Sequence, residues 1–204
     1  MFNKNGGIYI TKKYNWIIGG FVISIIVVIS IITWFYPYSP LSVNQSYAYQ
    51  PKKVSFNGKS YHEILSDFKE SYEEDLNADL INNHPNLTIN RTQFILPNFE
   101  QDWLISNESV SINDEKLETV LFEVIQVRED LLSLVGQAEY TREQRVYLID
   151  LIRNILSLED SIVALKNENY LTRSELNRQI DNLYNEFTSN FRSFVAFYNG
   201  IITE

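Results

Sequence analysis

From Ile17 to Thr33 the chain carries no charged residue and is dense in Ile and Val. Trp16 stands at one end of this run; Trp34, Phe35 and Tyr36 stand at the other. A helix from Trp16 to Tyr36 would be about 31 Å long, the thickness of a hydrocarbon core. Trp and Tyr favour the headgroup boundary, because each joins an apolar body to a polar tip. In lipid the backbone must satisfy its own hydrogen bonds, and a helix is the one single-segment solution. The pattern predicts a transmembrane helix over 16–36, with Trp16, Trp34 and Tyr36 as boundary residues. Gly20 and Ser24 form a small-xxx-small pair that allows close helix approach. A cleaved signal peptide is the rival, but its apolar core would be shorter and a small-x-small site would follow at once. Here Trp34-Phe35-Tyr36-Pro37 follows, so the anchor is expected to stay.

Beyond the apolar run the period changes. Residues 37–59 contain Pro37, Pro40, Pro51 and Gly58, which predict a stalk. Ser60, with Glu63 three residues on, is a capping box. Tyr61, Leu65, Phe68, Tyr72, Leu76 and Leu80 then recur at helical spacing, with charged residues between them. Residues 82–111 interrupt the pattern. There "LTINRTQFIL" has strand-like residues, and "NFEQDWLI" fits one or two helical turns.

Three longer amphipathic stretches follow. The first begins near Asn113 or Asp114 and places Leu117, Val120, Val124, Val127, Leu131 and Leu134 on one stripe. Thr141 with Gln144 opens the second, which carries Leu148, Leu151, Ile155, Leu158, Ile162 and Leu165. Thr172 with Glu175 opens the third, which carries Leu176, Ile180, Leu183, Phe187, Phe191, Phe194 and Tyr198. Short links between long helices force antiparallel neighbours. The predicted fold is all-α: one N-terminal transmembrane helix, then an antiparallel up-down bundle of about four helices over 60–204. Leu121, Val135, Ile149, Ile152, Leu156 and Val163 widen the stripes beyond a strict two-in-seven seam. That width favours an intramolecular bundle over an intermolecular coiled coil.

Charge orients the chain. Lys4, Lys12 and Lys13 precede the apolar run, and no basic residue follows it until Lys52. The positive-inside rule places residues 1–15 in the cytoplasm and the bundle outside. Residues 63–204 carry 11 Lys and Arg against 26 Asp and Glu, a net charge of −15. Such a surface repels nucleic acid, so nucleic-acid binding is not expected. The chain has no Cys, so neither disulfide nor thiol chemistry is available.

The search for chemistry yields little. The chain has two His, at 62 and 84, with no metal-ligand spacing around them. No phosphate-binding loop, nucleophile elbow or zinc-protease motif occurs. Glu70, Glu73, Glu74 and Asp75 lack a ligand loop and are expected to be a solvated face. No catalytic residue, cofactor or metal is expected. Arg128 and Asn190 are polar residues falling at or beside seam positions, where they are expected to sit on a bundle edge or to set register with a partner. With Phe94, Phe99 and Trp103 they are the candidate partner-binding residues. The expected function is a non-enzymatic, single-pass module that binds or scaffolds another membrane or envelope protein, with homo-oligomerisation through its helices open to it. The alternative is a ligand-sensing ectodomain that works through a partner signalling protein.

Overall fold

The computed structural model describes residues 6–51, 55–81, 85–137 and 139–202. Lys4, Lys52, Lys53, Asn82, Asn83, His84 and Ala138 lie outside that set. Helix α1 (Gly6–Phe35) contains the apolar run. From Trp16 to Phe35 its mean hydropathy is 2.6, and none of that stretch is buried against the rest of the chain. The helix is long and apolar enough to cross a bilayer.

Within the stretch expected to be a stalk, 37–59, the described residues include turns and two short strand pairings instead of an open chain. Residues 36–42 turn back through Ser39 N–H to the Tyr36 carbonyl at 3.0 Å and Ser42 N–H to the Ser39 carbonyl at 2.8 Å. Strand β1 (Ser46–Tyr49) follows, and pairs later in the chain with β4 (Val110–Asn113), antiparallel, with Tyr47 opposite Ile112. A strand's side chains alternate faces, so Tyr47 and Tyr49 point the same way, inward, and are buried. Strands β2 (Ser55–Phe56) and β3 (Lys59–Ser60) close a hairpin through Asn57 and Gly58, both at positive φ. An Asn-Gly pair is the cheapest occupant of that two-residue turn.

Helix α2 (Tyr61–Asp79) starts where the capping box predicts. Ser60 N–H donates to Glu63 Oε2 at 2.6 Å, and Glu63 N–H donates back to Ser60 Oγ at 3.3 Å. The strand-like "LTINRTQFI" is a helix, α3 (Leu87–Ile95). Asn86 caps it, with Oδ1 accepting from Thr88 N–H at 2.9 Å. Ile89, Thr92 and Ile95 are buried, a helical repeat that overrides the strand preference of Ile and Thr. A short 3-10 turn (Leu96–Phe99) and the single turn α4 (Asp102–Ile105) lead to β4.

Helices α5 (Asp114–Gln137), α6 (Arg142–Asn167) and α7 (Arg173–Ile202) run up, down and up. The Thr141–Gln144 and Thr172–Glu175 boxes both form. The expected stripes supply the core: Val124, Leu131, Ile155, Leu158, Ile162, Leu176, Ile180 and Phe187 are all fully buried. Helix α2 joins through aromatic rings. Phe68 lies 5.7 Å from Phe191 and 5.1 Å from Tyr198, edge on, and Phe99 lies 5.2 Å from Phe191. Each such pair adds about 0.5–1.5 kcal/mol beyond area burial.

The widening positions divide. Ile152 is buried and Leu121 half-buried, but Val135, Ile149, Leu156 and Val163 remain exposed. The bundle therefore does not consume the full width of the α5 and α6 stripes.

Candidate functional site

The junction between α1 and the bundle carries a connected set of polar contacts. It is built on one stripe of α7. Arg173, Asn177 and Asp181 stand at i, i+4 and i+8, so they line one helix face. Opposite them lie Trp34 at the end of α1 and Tyr47 and Tyr49 on β1.

Arg173 Nε donates to the Trp34 carbonyl at 2.7 Å, and its guanidinium sits 4.5 Å from the Trp34 ring centre. The Tyr47 ring lies on the same guanidinium at 5.8 Å. Tyr47 donates its hydroxyl to Asn177 Oδ1 at 3.0 Å, and Tyr49 donates to Asp181 Oδ1 at 3.1 Å. Asn177 Nδ2 closes the ladder on Asp181 Oδ2 at 3.1 Å. A cation in the first turn of α7 opposes that helix's own dipole. The same cation supplies a donor to one of the orphan carbonyls at the C-terminal end of α1 and complements that end's negative charge. The position suits α1, not α7.

Two further contacts tie the junction. Val43 N–H donates to Thr33 Oγ1 at 3.1 Å, and the Tyr38 hydroxyl donates to the Ile112 carbonyl at 3.1 Å. Burial pushes the Tyr38 and Tyr47 hydroxyls above the ordinary tyrosine value, so both remain protonated donors at neutral pH. Around the junction Trp34, Phe35, Leu41, Val43 and Tyr170 are exposed.

The residues singled out from sequence do not assemble into one site. Trp16, Gly20, Ser24 and Trp34 lie along α1 and Tyr36 just past its end, all exposed, and a Cβ on Gly20 would meet nothing within 4 Å. Phe99 and Trp103 are corrections: at 0% and 2% exposure they are core, and no partner can touch them. Trp103 packs 5.1 Å from Phe187 and donates its indole N–H to Gln101. Phe94 alone of that group is exposed. Arg128 lies at the α5–α6 edge, with Nη1 2.5 Å from Glu159 Oε2. Asn190 is not at an edge. It is buried, with Nδ2 donating to the Glu186 carbonyl at 3.0 Å and Oδ1 without a partner among the described residues.

A long open groove of about 860 Å³ runs between α2 and α7. Phe56, Ile64, Phe68, Ser189, Arg192 and Ser193 line it. Arg192 lies 4.4 Å from the Phe56 ring centre. Nearby Glu186 is half-buried with Oε2 shut off from solvent, and burial raises its carboxyl above the usual range. Among the described residues no group of three or more His, Asp or Glu could hold a metal ion.

Sequence reading missed the junction ladder. Its signals were the i, i+4, i+8 polar series on α7 and the Tyr47–Tyr49 alternation. Neither identifies its partner without the strand pairing of Tyr47 with Ile112, far along the chain.

Comparison with known protein families, with curated proteins and with solved structures finds no significant match. The class that the fold defines is an all-α chain with an N-terminal apolar helix, unburied among the described residues, joined by a polar clasp to a helical bundle.

Proposed function

We propose that the chain is a single-pass membrane protein that presents its bundle outside the cytoplasm to another membrane or envelope protein. In this reading residues 16–36 span the bilayer, residues 1–15 lie in the cytoplasm, and the bundle stands on the outer surface. The observation that carries it is the pairing of a fully uncovered apolar helix with a docked end. Among the described residues, none of the apolar stretch from Trp16 to Phe35 is buried. Leaving it in water costs about 25 cal/mol per Å² of apolar area, so a lipid environment is strongly favoured.

The clasp gives the module its mechanical character. Arg173 holds the base of α7 on the end of α1, and Tyr47 and Tyr49 hold β1 on α7, so in this reading the bundle is seated at the bilayer rather than swinging on a tether. A seated bundle offers its long helices at a fixed height and angle to a neighbour in the same membrane. Its net negative charge suits a partner with a basic or neutral face. The reading is non-enzymatic: no side-chain set described above pairs a nucleophile with a base.

Protease added to intact cells or protoplasts tests the orientation. A C-terminal tag should be digested from outside while an N-terminal tag is protected. The reverse pattern would refute the proposed topology.

A second reading rests on the α2–α7 groove. Arg192, Ser189 and Ser193 converge on an apolar floor there, an arrangement suited to a small amphipathic anion. Ligand sensing would then pass from α7 through the clasp to α1 and on to a partner.

A further inference from the structure

We infer that the outer face of the α5–α6 pair is a dimer surface whose occupant is the same face of a second copy of this chain. The inference rests on the anchoring reading above and deepens it by naming a surface and a partner.

The face is what remains after the core is filled. Leu132 and Val135 on α5 are 44% and 41% exposed, and Ile149, Leu156 and Val163 on α6 are 49%, 42% and 39% exposed. Leu121 and Ile125 beside them are half-buried. Ion pairs from Arg128 to Glu159 and from Glu118 to Lys166 cross between the helices along this flank. They set the register: Leu121 stands level with Val163, Arg128 with Leu156 and Glu159, and Val135 with Ile149. Ile149, Leu156 and Val163 recur every seven residues, as do Leu121, Arg128 and Val135. The bundle leaves Ile149, Leu156 and Val163 exposed, and their seven-residue apolar repeat matches the spacing of a helix seam.

Charge selects the occupant. If α1 anchors every copy, all bundles point the same end toward the bilayer. A closed pair must then have its two-fold axis along the bundle. That axis sets α5 opposite α6 of the other copy at equal height. Arg128 therefore meets Glu159 of the partner subunit, and the four charges alternate in sign around the axis. Arg128 and Glu159 side chains are 22% and 19% exposed, and Arg128 also holds Glu129, so the partner subunit's carboxylate would share a guanidinium that already pairs within the chain. Apolar layers lie on both sides of the charged one: Leu121 with Val163 toward α1, and Leu132 and Val135 with Ile149 away from it. Two helices of 24 and 26 residues offer a face of roughly 36 by 20 Å, close to the ~800 Å² per partner of a standard interface.

The chain has no Cys, so introduced thiols are the only ones. Full-length chains carrying Leu132→Cys and, separately, Ile149→Cys would be co-expressed with different tags and oxidised in membranes. A disulfide between them joins two chains. The expected product has twice the mass of one chain and carries both tags, at ~tenfold or more the yield of a Gln126→Cys and Asn154→Cys pair on another face. Arg128→Glu should cut that yield several-fold, and adding Glu159→Arg in the same chain should restore it. Equal yields from the two pairs, a product of any other mass, or no restoration would overturn the dimer. Membrane fractionation before oxidation separates the two claims. A soluble chain overturns the anchoring, whereas a membrane-bound chain that forms no doubly tagged product overturns the dimer alone.

Discussion

The Nε of Arg173 lies 2.7 Å from the carbonyl oxygen of Trp34, so the first turn of the last helix closes on the last turn of the first. A flat guanidinium stacks its face on a ring while an edge N–H donates to a carbonyl; an ammonium is a compact point charge with no face to stack. Replacing Arg173 by Ala removes one charge-assisted hydrogen bond and one cation–π contact. Because Trp34 is exposed, we expect a loss near the lower end of these effects, about 1 kcal/mol. Limited proteolysis between residues 36 and 50 should speed up several-fold in detergent, and Arg173→Lys should not rescue it. Unchanged cleavage kinetics would show that the contact bears no strain.

Tyr47 and Asn177 form the next rung of the ladder. Tyr47→Phe and Asn177→Ala should each destabilise by about 1 kcal/mol, because each leaves one polar partner unpaired. The double variant should cost less than the sum, with a coupling of ~0.5–1 kcal/mol in denaturant melts. Strict additivity would mean that the two groups do not interact in solution.

Phe99 and Trp103 separate a core role from a binding role. Each is fully buried, and either change to Ala should cost about 3–5 kcal/mol of stability. Phe94→Ala, on an exposed side chain, should stay within about 0.5 kcal/mol of wild type. Calorimetry on the three variants distinguishes them. A cold-stable Trp103→Ala chain with native melting would return that residue to the binding surface.

Glu186 and the capping carboxylates predict opposite pH trends. Burial raises the Glu186 carboxyl, so the folded state holds its proton more tightly than the unfolded chain does. Its ionised form opposes folding above the raised folded value, and that penalty disappears as pH falls. Glu186→Gln should therefore raise the melting temperature at pH 7.5 by up to about 2–4 °C, with the gain fading toward pH 4. Hydrogen bonds to Ser60 and Thr172 lower the Glu63 and Glu175 carboxyls. Their stabilisation is present above the unfolded value and is lost as pH falls through the folded one. Gln at both capping positions should flatten the acid limb of the stability profile, and an unaltered limb would count against the boxes.

What sequence made legible was local chemistry. Ser60–Glu63, Thr141–Gln144 and Thr172–Glu175 each fix a helix start within four residues, and all three form. The apolar stripes of α5, α6 and α7 likewise carry their own period. Residues 46–49 read as stalk because their partner strand lies some sixty positions away, and prolines nearby argued for an open chain. The α3 segment misled for another reason: its Ile and Thr favour strands, while Asn86 and burial on α5 decide for helix. A polar residue at a seam suggests a bundle edge or a register contact for Asn190, yet the side chain is buried and its amide is satisfied in part by the α7 backbone itself. Arg173 was invisible as a functional residue because its partners, Trp34 and Tyr47, come from two other elements.

The whole account depends on α1 staying attached and in lipid. The most direct measurement is the intact mass of the mature chain recovered from alkaline-washed membranes. We predict the full 23.9 kDa chain in the washed pellet, resistant to carbonate and released by detergent. A soluble product lacking the residues up to Tyr36 would contradict the anchored bundle outright.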